Sequence, residues 1–355
     1  MINRRTLMQA GVAGGLAAWL PALARAQGER TIRVGMGFKA MSPAVINLYI
    51  PETLGYARDA GLKIESAVLG SANNCMIALE KGDVDFAVIS SSFILPLMEQ
   101  KKMSSIVIFY EYTYPYKWDI AVRPDAAYQS YADLKGKKIG VSNLGVSDYP
   151  VTRTVLSDIG IDPDADVEWI AVGEGATAGI ALQRGDIDAL GYFDTGFGAI
   201  ENAGIELRYL PRPAKVPMIG GLFLGVRRDF LEANRDVCVA YGRTVAMASE
   251  YLLENPAAGA AAFLEMFPET APRGASPQEA VDKTVTAIAR RIPLYRPPYP
   301  DSQMGQIFES EFELEAEMLG IQIDDFKPLY TNELIAEIND FDREAVIRAA
   351  REAKI

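Results

Sequence analysis

The sequence predicts an α/β protein made of two related lobes, on two observations. Short β-rich runs alternate with helical stretches from Thr31 onward, the pattern of a parallel sheet covered on both faces. One nine-residue phrase is also written twice, 103 positions apart: ALEKGDVDF at Ala78–Phe86 and ALQRGDIDA at Ala181–Ala189. Each copy reads as a helix end, a glycine turn and a strand start. Gly82 and Gly185 follow helix-like residues, where glycine accepts the left-handed backbone of a helix stop. Asp83, Asp85, Asp186 and Asp188 read as turn and solvent residues. They precede their strands, whereas ligands of parallel α/β sheets gather beyond the opposite, carboxyl ends.

In the first series, Thr31–Phe38 alternates and is β-rich, so it is the first strand. Ala44–Ala60 is a helical stretch with Pro51 as its break. Leu62–Leu69 is a strand, and Asn73 caps a helix running through Leu79. Phe86–Ser90 is a strand, Ser91–Gln100 a helix and Ile106–Tyr110 a strand. The pattern shifts near Trp118–Arg123. A second series then runs Lys138–Ser142 (strand), a helix from near Asp148 or Pro150, Val167–Val172 (strand), Gly175–Gln183 (helix), Ala189–Phe193 (strand) and a helix after Asp194. Gly221–Val226 is the return crossing. The remainder is mostly helical, with a loop at Pro293–Pro300 and an amphipathic last helix over Phe341–Ile355 that packs on the first lobe.

The chain has 355 residues, 49% hydrophobic and 23% charged, with a formal net charge of -12. That is globular composition in the size range of two domains. The acidic balance and the lack of Lys/Arg runs argue against nucleic acid as a partner. There is no histidine, which removes Ser-His-Asp and Cys-His nucleophilic sites and histidine metal sites together. Cys75 and Cys238 are too few for a cysteine-built zinc site or a disulfide scaffold; one bridge and two buried thiols are both open. No cofactor motif is present. Gly35 and Gly37 form a lone GMG inside a strand, and Gly140–Gly145 has the wrong spacing for a dinucleotide loop.

The first residues, MINRRTLMQAGVAGGLAAWLPALARA, have a basic start, a short apolar stretch and small residues at Ala24 and Ala26. Residues 1–26 therefore read as a secretory signal cut after Ala26. Arg4-Arg5 followed by Thr6-Leu7 resembles a twin-arginine export signal; general secretion is the other route. Removal takes three arginines and no acid, moving the formal balance from -12 to -15. The periplasm is the expected location.

Four segments carry a family resemblance: Ala78–Ser90 (ALEKGDVDFAVIS), Ala181–Leu190 (ALQRGDIDAL), Tyr131–Tyr149 (YADLKGKKIGVSNLGVSDY) and Gly220–Arg243 (GGLFLGVRRDFLEANRDVCVAYGR). With them the mature chain resembles the type II periplasmic solute-binding proteins of ABC importers, in the sulfonate, nitrate, taurine and thiamine-pyrimidine binding group. The resemblance implies a two-lobed fold with a hinge and an inter-lobe cleft. Lobe one would be 28–120 with 222–355, and lobe two 121–221. It implies capture of a small organic solute, an inner-membrane ABC permease as partner, and a monomer. In such proteins a DLKGKKIGV strand opens the second lobe, and the loop after it touches ligand. The related eukaryotic thiamine-pyrimidine synthases rely on histidine and a cysteine-rich motif, which this chain lacks, so no enzymatic activity is expected. A ligand-sensing protein for a membrane receptor or a non-ABC transporter is the alternative role.

Candidate contacts lie just past strand ends. Phe38, Lys39 and Ser42 follow the first strand, and Lys39 is a candidate partner for an anion. Ser90, Ser91 and Ser92 open a helix with successive hydroxyls and amides, an anion nest or a simple cap. YEYTYPYKW, Tyr110–Trp118, is dense in rings that suit a pocket wall or core packing; Glu111 and Trp118 are its candidate contacts. In lobe two, Asn143, Gly145 and Ser147 form the next loop. Thr177 starts another helix, and Tyr192 with Asp194 ends a strand. Asp194 is read as the acidic counterpart of Glu111 across the cleft, or as a helix cap. Serine-rich helix starts favour an oxyanion such as a sulfonate or carboxylate. Glu111, Asp194 and the rings favour an aromatic nitrogen heterocycle. The sequence leaves both open.

Overall fold

The computed structural model describes residues 29–101, 105–144 and 147–354. The proposed signal segment and Gly145 lie outside these residues. Ten strands form two five-stranded sheets. In chain order they are β1 (Arg30–Met36), β2 (Leu62–Val68), β3 (Phe86–Ser90), β4 (Ile106–Thr113), β5 (Trp118–Val122), β6 (Lys137–Val141), β7 (Val167–Ala171), β8 (Ala189–Phe193), β9 (Arg208–Tyr209) and β10 (Leu222–Arg227). The first sheet has the order β2-β1-β3-β10-β4 and the second β7-β6-β8-β5-β9. The orders correspond position by position, so the repeated phrase marks a repeated topology.

Each sheet is mixed rather than wholly parallel. The strand that enters after crossing from the other lobe, β10 in the first sheet and β5 in the second, runs antiparallel to its neighbours. A βαβ unit within one lobe keeps strands parallel, whereas a strand delivered from the facing lobe enters from the other end.

The duplicated phrase has a defined structural task. Gly82 and Gly185 sit at φ 74° and 77°, the helix-stop conformation expected of them. The second aspartate of each copy is more than a turn residue. Asp85 N donates to Arg33 O at 2.9 Å, and Arg33 N donates back to the Asp85 carboxylate at 2.8 Å. Asp188 repeats this with Lys138 at 2.8 and 2.9 Å, and also accepts from Tyr128 Oη at 2.8 Å. Each carboxylate thus satisfies a strand amide just outside the regular ladder. Asp85→Ala and Asp188→Ala should each cost about 0.5–1.5 kcal/mol in urea unfolding, the usual net worth of one hydrogen bond where water can reach the amide. Losses below a few tenths in both would remove this role.

Local details differ from the sequence expectation for physical reasons. Residues 44–60 break into short pieces, Pro43–Val45, Ile46–Tyr49 and Tyr56–Asp59, with Gly55 at positive φ. Ser71, not Asn73, caps the helix Ala72–Lys81, accepting from Asn74 N at 3.2 Å. β4 extends to Thr113 and is buried along its whole length. Tyr110, Tyr112, Tyr114 and Tyr116 are therefore largely core.

Cys75 and Cys238 are both free and buried, in two different core clusters. The helix Arg343–Glu352 packs through Val346 and Ala350 on the long helix Arg235–Glu254 of the first lobe. Among the described residues no helix is long and apolar enough to cross a membrane.

The chain crosses between the sheets at residues 114–117 and 210–221, and a third segment ties the lobes together. The helix Pro277–Ile288 packs on the second-lobe helix Asp194–Asn202. Gly198 permits this approach, because a Cβ there would meet the Ala287 backbone at 2.6 Å. Just beyond, Arg290 lies over the Tyr209 ring and reaches Asp119 at 3.4 Å.

Candidate functional site

A cleft of about 270 Å3 opens between the carboxyl ends of the two sheets. From the first sheet it is lined by Phe38 after β1, Ser90 at the end of β3, Ser92 and Phe93 at the next helix start, and Tyr112 on β4. The second sheet supplies Lys117 and Trp118 at β5, Ser142 after β6, Ser147 and Asp148 at a helix start, and Phe193 and Thr195 after β8. Gly220, Leu222 and Arg291 complete it from the return crossing and the C-terminal segment. Both sheets thus point their carboxyl ends at one space, the usual ligand position for α/β sheets. The surface it offers is mostly apolar, although polar and charged residues are about as many in its lining as aromatic and aliphatic ones, a mixture that suits a small-molecule site.

Trp118 is buried and forms one wall, with the Lys117 ammonium 4.9 Å from its ring centroid. Gly220, at φ 80°, is required opposite it, since any side chain there would collide with the indole. Phe93 is 47% exposed and Phe38 37% exposed, so both are exposed rings at the cleft rim. Ser92 Oγ and Ser147 Oγ approach to 3.4 Å across the lobes.

Behind the floor lies a network of buried charge. Glu315, on the helix Glu309–Leu319, accepts from the Ser91 hydroxyl, from Ser92 Oγ at 2.5 Å and from Gly220 N at 3.1 Å. Lys117 donates to the Gly220 carbonyl. Burial, reinforced by nearby Arg291, lowers its ammonium to about 8, although Asp194, Glu315 and Glu111 oppose the shift. Glu111 and Glu311 lie beside each other, and among the described residues neither carboxyl has a hydrogen-bond partner outside the pair. Two such carboxyls coexist in a dry site only by sharing a proton. Burial and mutual repulsion raise Glu111 well above the ordinary range, and burial pushes Glu311 up to about 8. Gly221 gives the Glu111 carboxyl its room, since a Cβ there would collide with it.

Asp194 is not a counterpart of Glu111. It forms a forked ion pair with Arg291, whose Nη2 lies 2.7 Å from Oδ1 and whose Nε donates to Oδ2. Both side chains are almost fully buried. Arg291 Nη1 also donates to Ala44 O of the first lobe at 3.3 Å. The pair therefore joins first lobe, second lobe and C-terminal segment at one point.

Of the residues singled out in the sequence, Phe38, Ser90, Ser92, Trp118 and Ser147 line the cleft. Others stand behind or beside it. Ser91 and Glu111 belong to the buried network, and Asp194 to the ion pair. Tyr192 is fully buried, its hydroxyl accepting from Gly175 N at 2.9 Å to hold the next helix start. Ser42 caps a short turn by accepting from Ala44 N. Lys39, Asn143 and Thr177 are exposed and do not line the cleft.

Sequence reading missed Arg291, Glu315, Glu311 and Phe93. Arg291 lies 97 residues from its partner, beyond any local pattern. Glu311 and Glu315 did carry a signal. They share one helix stripe with buried Phe312 and Ala316, where acids on a solvated face would alternate with them.

Residues 42–259, more than half of the chain, match the family model described as NMT1/THI5 like. The chain belongs to the NMT1/THI5-like family. The family assignment agrees with solved structures of the same shape. The Escherichia coli periplasmic aliphatic sulphonate binding protein SsuA has TM-score 0.61 at 18% identity, over 82% of this chain and 86% of that one. The alkanesulfonate-binding protein SsuA from Xanthomonas axonopodis pv. citri, bound to MOPS, has TM-score 0.54 at 21% identity, over 88% and 99%. At these identities the likeness establishes the two-lobed periplasmic-binding-protein fold. A Bacillus subtilis (strain 168) relative named "Putative binding protein YtlA" is 22% identical over 214 residues. The match spans 59% of this chain and 63% of that protein, under two thirds of its length. All three of these proteins are named as binding proteins, the last as a putative one.

Proposed function

We propose that this protein is the extracytoplasmic solute-binding component of an ABC importer. It captures a small organic solute between its lobes and delivers it to a membrane permease. The supporting observation is the convergence of both sheets' carboxyl ends on one mostly apolar cleft with exposed rim rings. The family match and the named relatives support the role. The basic, apolar and small-residue pattern of residues 1–26 supports export to the periplasm. The lobe division is proposed at the crossings, with the segment around Arg290 and Arg291 tied to both lobes.

Native mass spectrometry of protein exported to the periplasm tests this directly. A stoichiometric small molecule, released on denaturation, is the expected result. Trp118→Ala should weaken binding of that molecule at least about tenfold, since it removes the largest ring of the cleft wall. Unchanged affinity would take Trp118 out of the site. Saturating solute should also compact the scattering profile as the lobes close; an unchanged profile with bound solute would count against closure.

A further inference from the structure

Among the described residues, the helix starts at the cleft and Arg291 are each engaged by one of the protein's own carboxylates, and Lys117 is engaged by a backbone carbonyl. The helix Asp148–Asp158 presents its N-terminus there, and Asp148 occupies it, accepting from Tyr149 N at 3.0 Å and Ser142 N at 2.8 Å. The helix Asp194–Asn202 does the same: Asp194 accepts from Thr195 N at 2.7 Å and takes the Arg291 fork. At the helix Ser91–Glu99 both serine hydroxyls turn to Glu315. Lys117 is directed to the Gly220 carbonyl, with Glu111 and Glu315 close by. Glu174 adds a further carboxylate at the rim. Among the described residues the cleft thus holds two cations, Lys117 and Arg291, beside the lining carboxyls Asp148 and Glu174, with Asp194 and Glu315 just behind the wall, before the Glu111–Glu311 pair is counted.

Helix N-termini and cations recruit anions only when they are available. Here a solute oxyanion would compete with fixed internal carboxylates in a site where water screens poorly.

We propose that the solute held in this cleft carries no net negative charge. It is a flat, largely apolar molecule, neutral or cationic, clamped by Trp118, Phe93 and Phe193. This departs from what the named sulfonate-binding neighbours carry, and it rests on the reading of the cleft as the solute seat. The hydroxyls of Ser90, Ser147 and Thr195 supply hydrogen bonds that a neutral or protonated nitrogen group can use.

An isosteric probe series tests the charge alone: benzoate, benzamide and benzamidinium, titrated calorimetrically into the mature full chain at neutral pH. Benzamide and benzamidinium are expected to bind at least about tenfold more tightly than benzoate, a difference of about 1.4 kcal/mol. Asp148→Asn, which leaves the helix start without its charge, is expected to narrow the gap. Phe93→Ala, a rim change that spares the core, is expected to weaken the two favoured probes. Tightest binding by benzoate, or no binding of the amide and amidinium at millimolar concentration, overturns the proposal and leaves the cleft reading intact. Probe binding indifferent to Phe93→Ala overturns the cleft reading itself.

Discussion

Asp194→Ala should destabilise the folded chain by about 3–5 kcal/mol in urea unfolding, the usual consequence of removing one partner of a buried ion pair. The side chains of Arg291 and Asp194 are 4% and 2% exposed, so water cannot replace the lost carboxylate. The remaining guanidinium would be a desolvated charge between the lobes, still held to Ala44 O. The double change Asp194→Leu with Arg291→Met should recover much of the loss, because it removes both desolvated charges together. A single-variant loss below about 1 kcal/mol would show that the pair is not buried as described.

The second large effect is a pH dependence set by Glu111 and Glu311. An unfolded glutamate releases its proton near pH 4.3 (about), whereas burial holds Glu311 up to about 8 in the folded chain and raises Glu111 in the same direction. Between those limits the folded state binds more protons than the unfolded one. This contribution is therefore complete below about pH 4 and falls away as pH rises toward 8. Glu311→Gln keeps a neutral partner for Glu111 and removes one titration. It should gain stability over the wild type progressively from pH 5 to 8, reaching on the order of a few kcal/mol. A constant difference between variant and wild type across that range would mean that the pair does not share a proton.

The fold was legible because its signals are local. The repeated helix stop at Gly82 and Gly185, and the alternation around β1, β3, β6 and β8, each sit within ten residues. The site was legible only where it borrows those same strand ends, at Phe38, Ser90, Ser92, Trp118 and Ser147. What the sequence could not show is how charges cancel. Asp194 reads as an acidic cleft contact or a helix cap because Arg291 is far away in the chain, and the serine-rich helix start reads as an anion nest or a cap because Glu315 comes more than 200 residues later. The tyrosines of β4 suit a pocket wall and core packing alike, because a strand buried on both faces has no polar alternation to separate the two; in the structure Tyr110 and Tyr112 are both buried and Tyr112 also reaches the cleft.

The strand order of the first sheet also governs how the chain is made. β4 has only β10 as its strand neighbour, and β10 lies between β3 and β4. β4 therefore stays unjoined until residues 222–227 have been synthesised, about 110 residues later. At roughly 5–20 residues per second this leaves a strand that ends up buried along its whole length waiting some 5–20 seconds on the ribosome. The second sheet draws its strands from one uninterrupted stretch, Trp118 to Tyr209, and its strand ladder needs no downstream strand, although Arg290, Arg291 and the helix Pro277–Ile288 pack on this lobe later. The order of completion is thus inverted: the ladder of the sheet begun second can be finished first, the sheet begun first waits for β10, and the Asp194–Arg291 pair forms last.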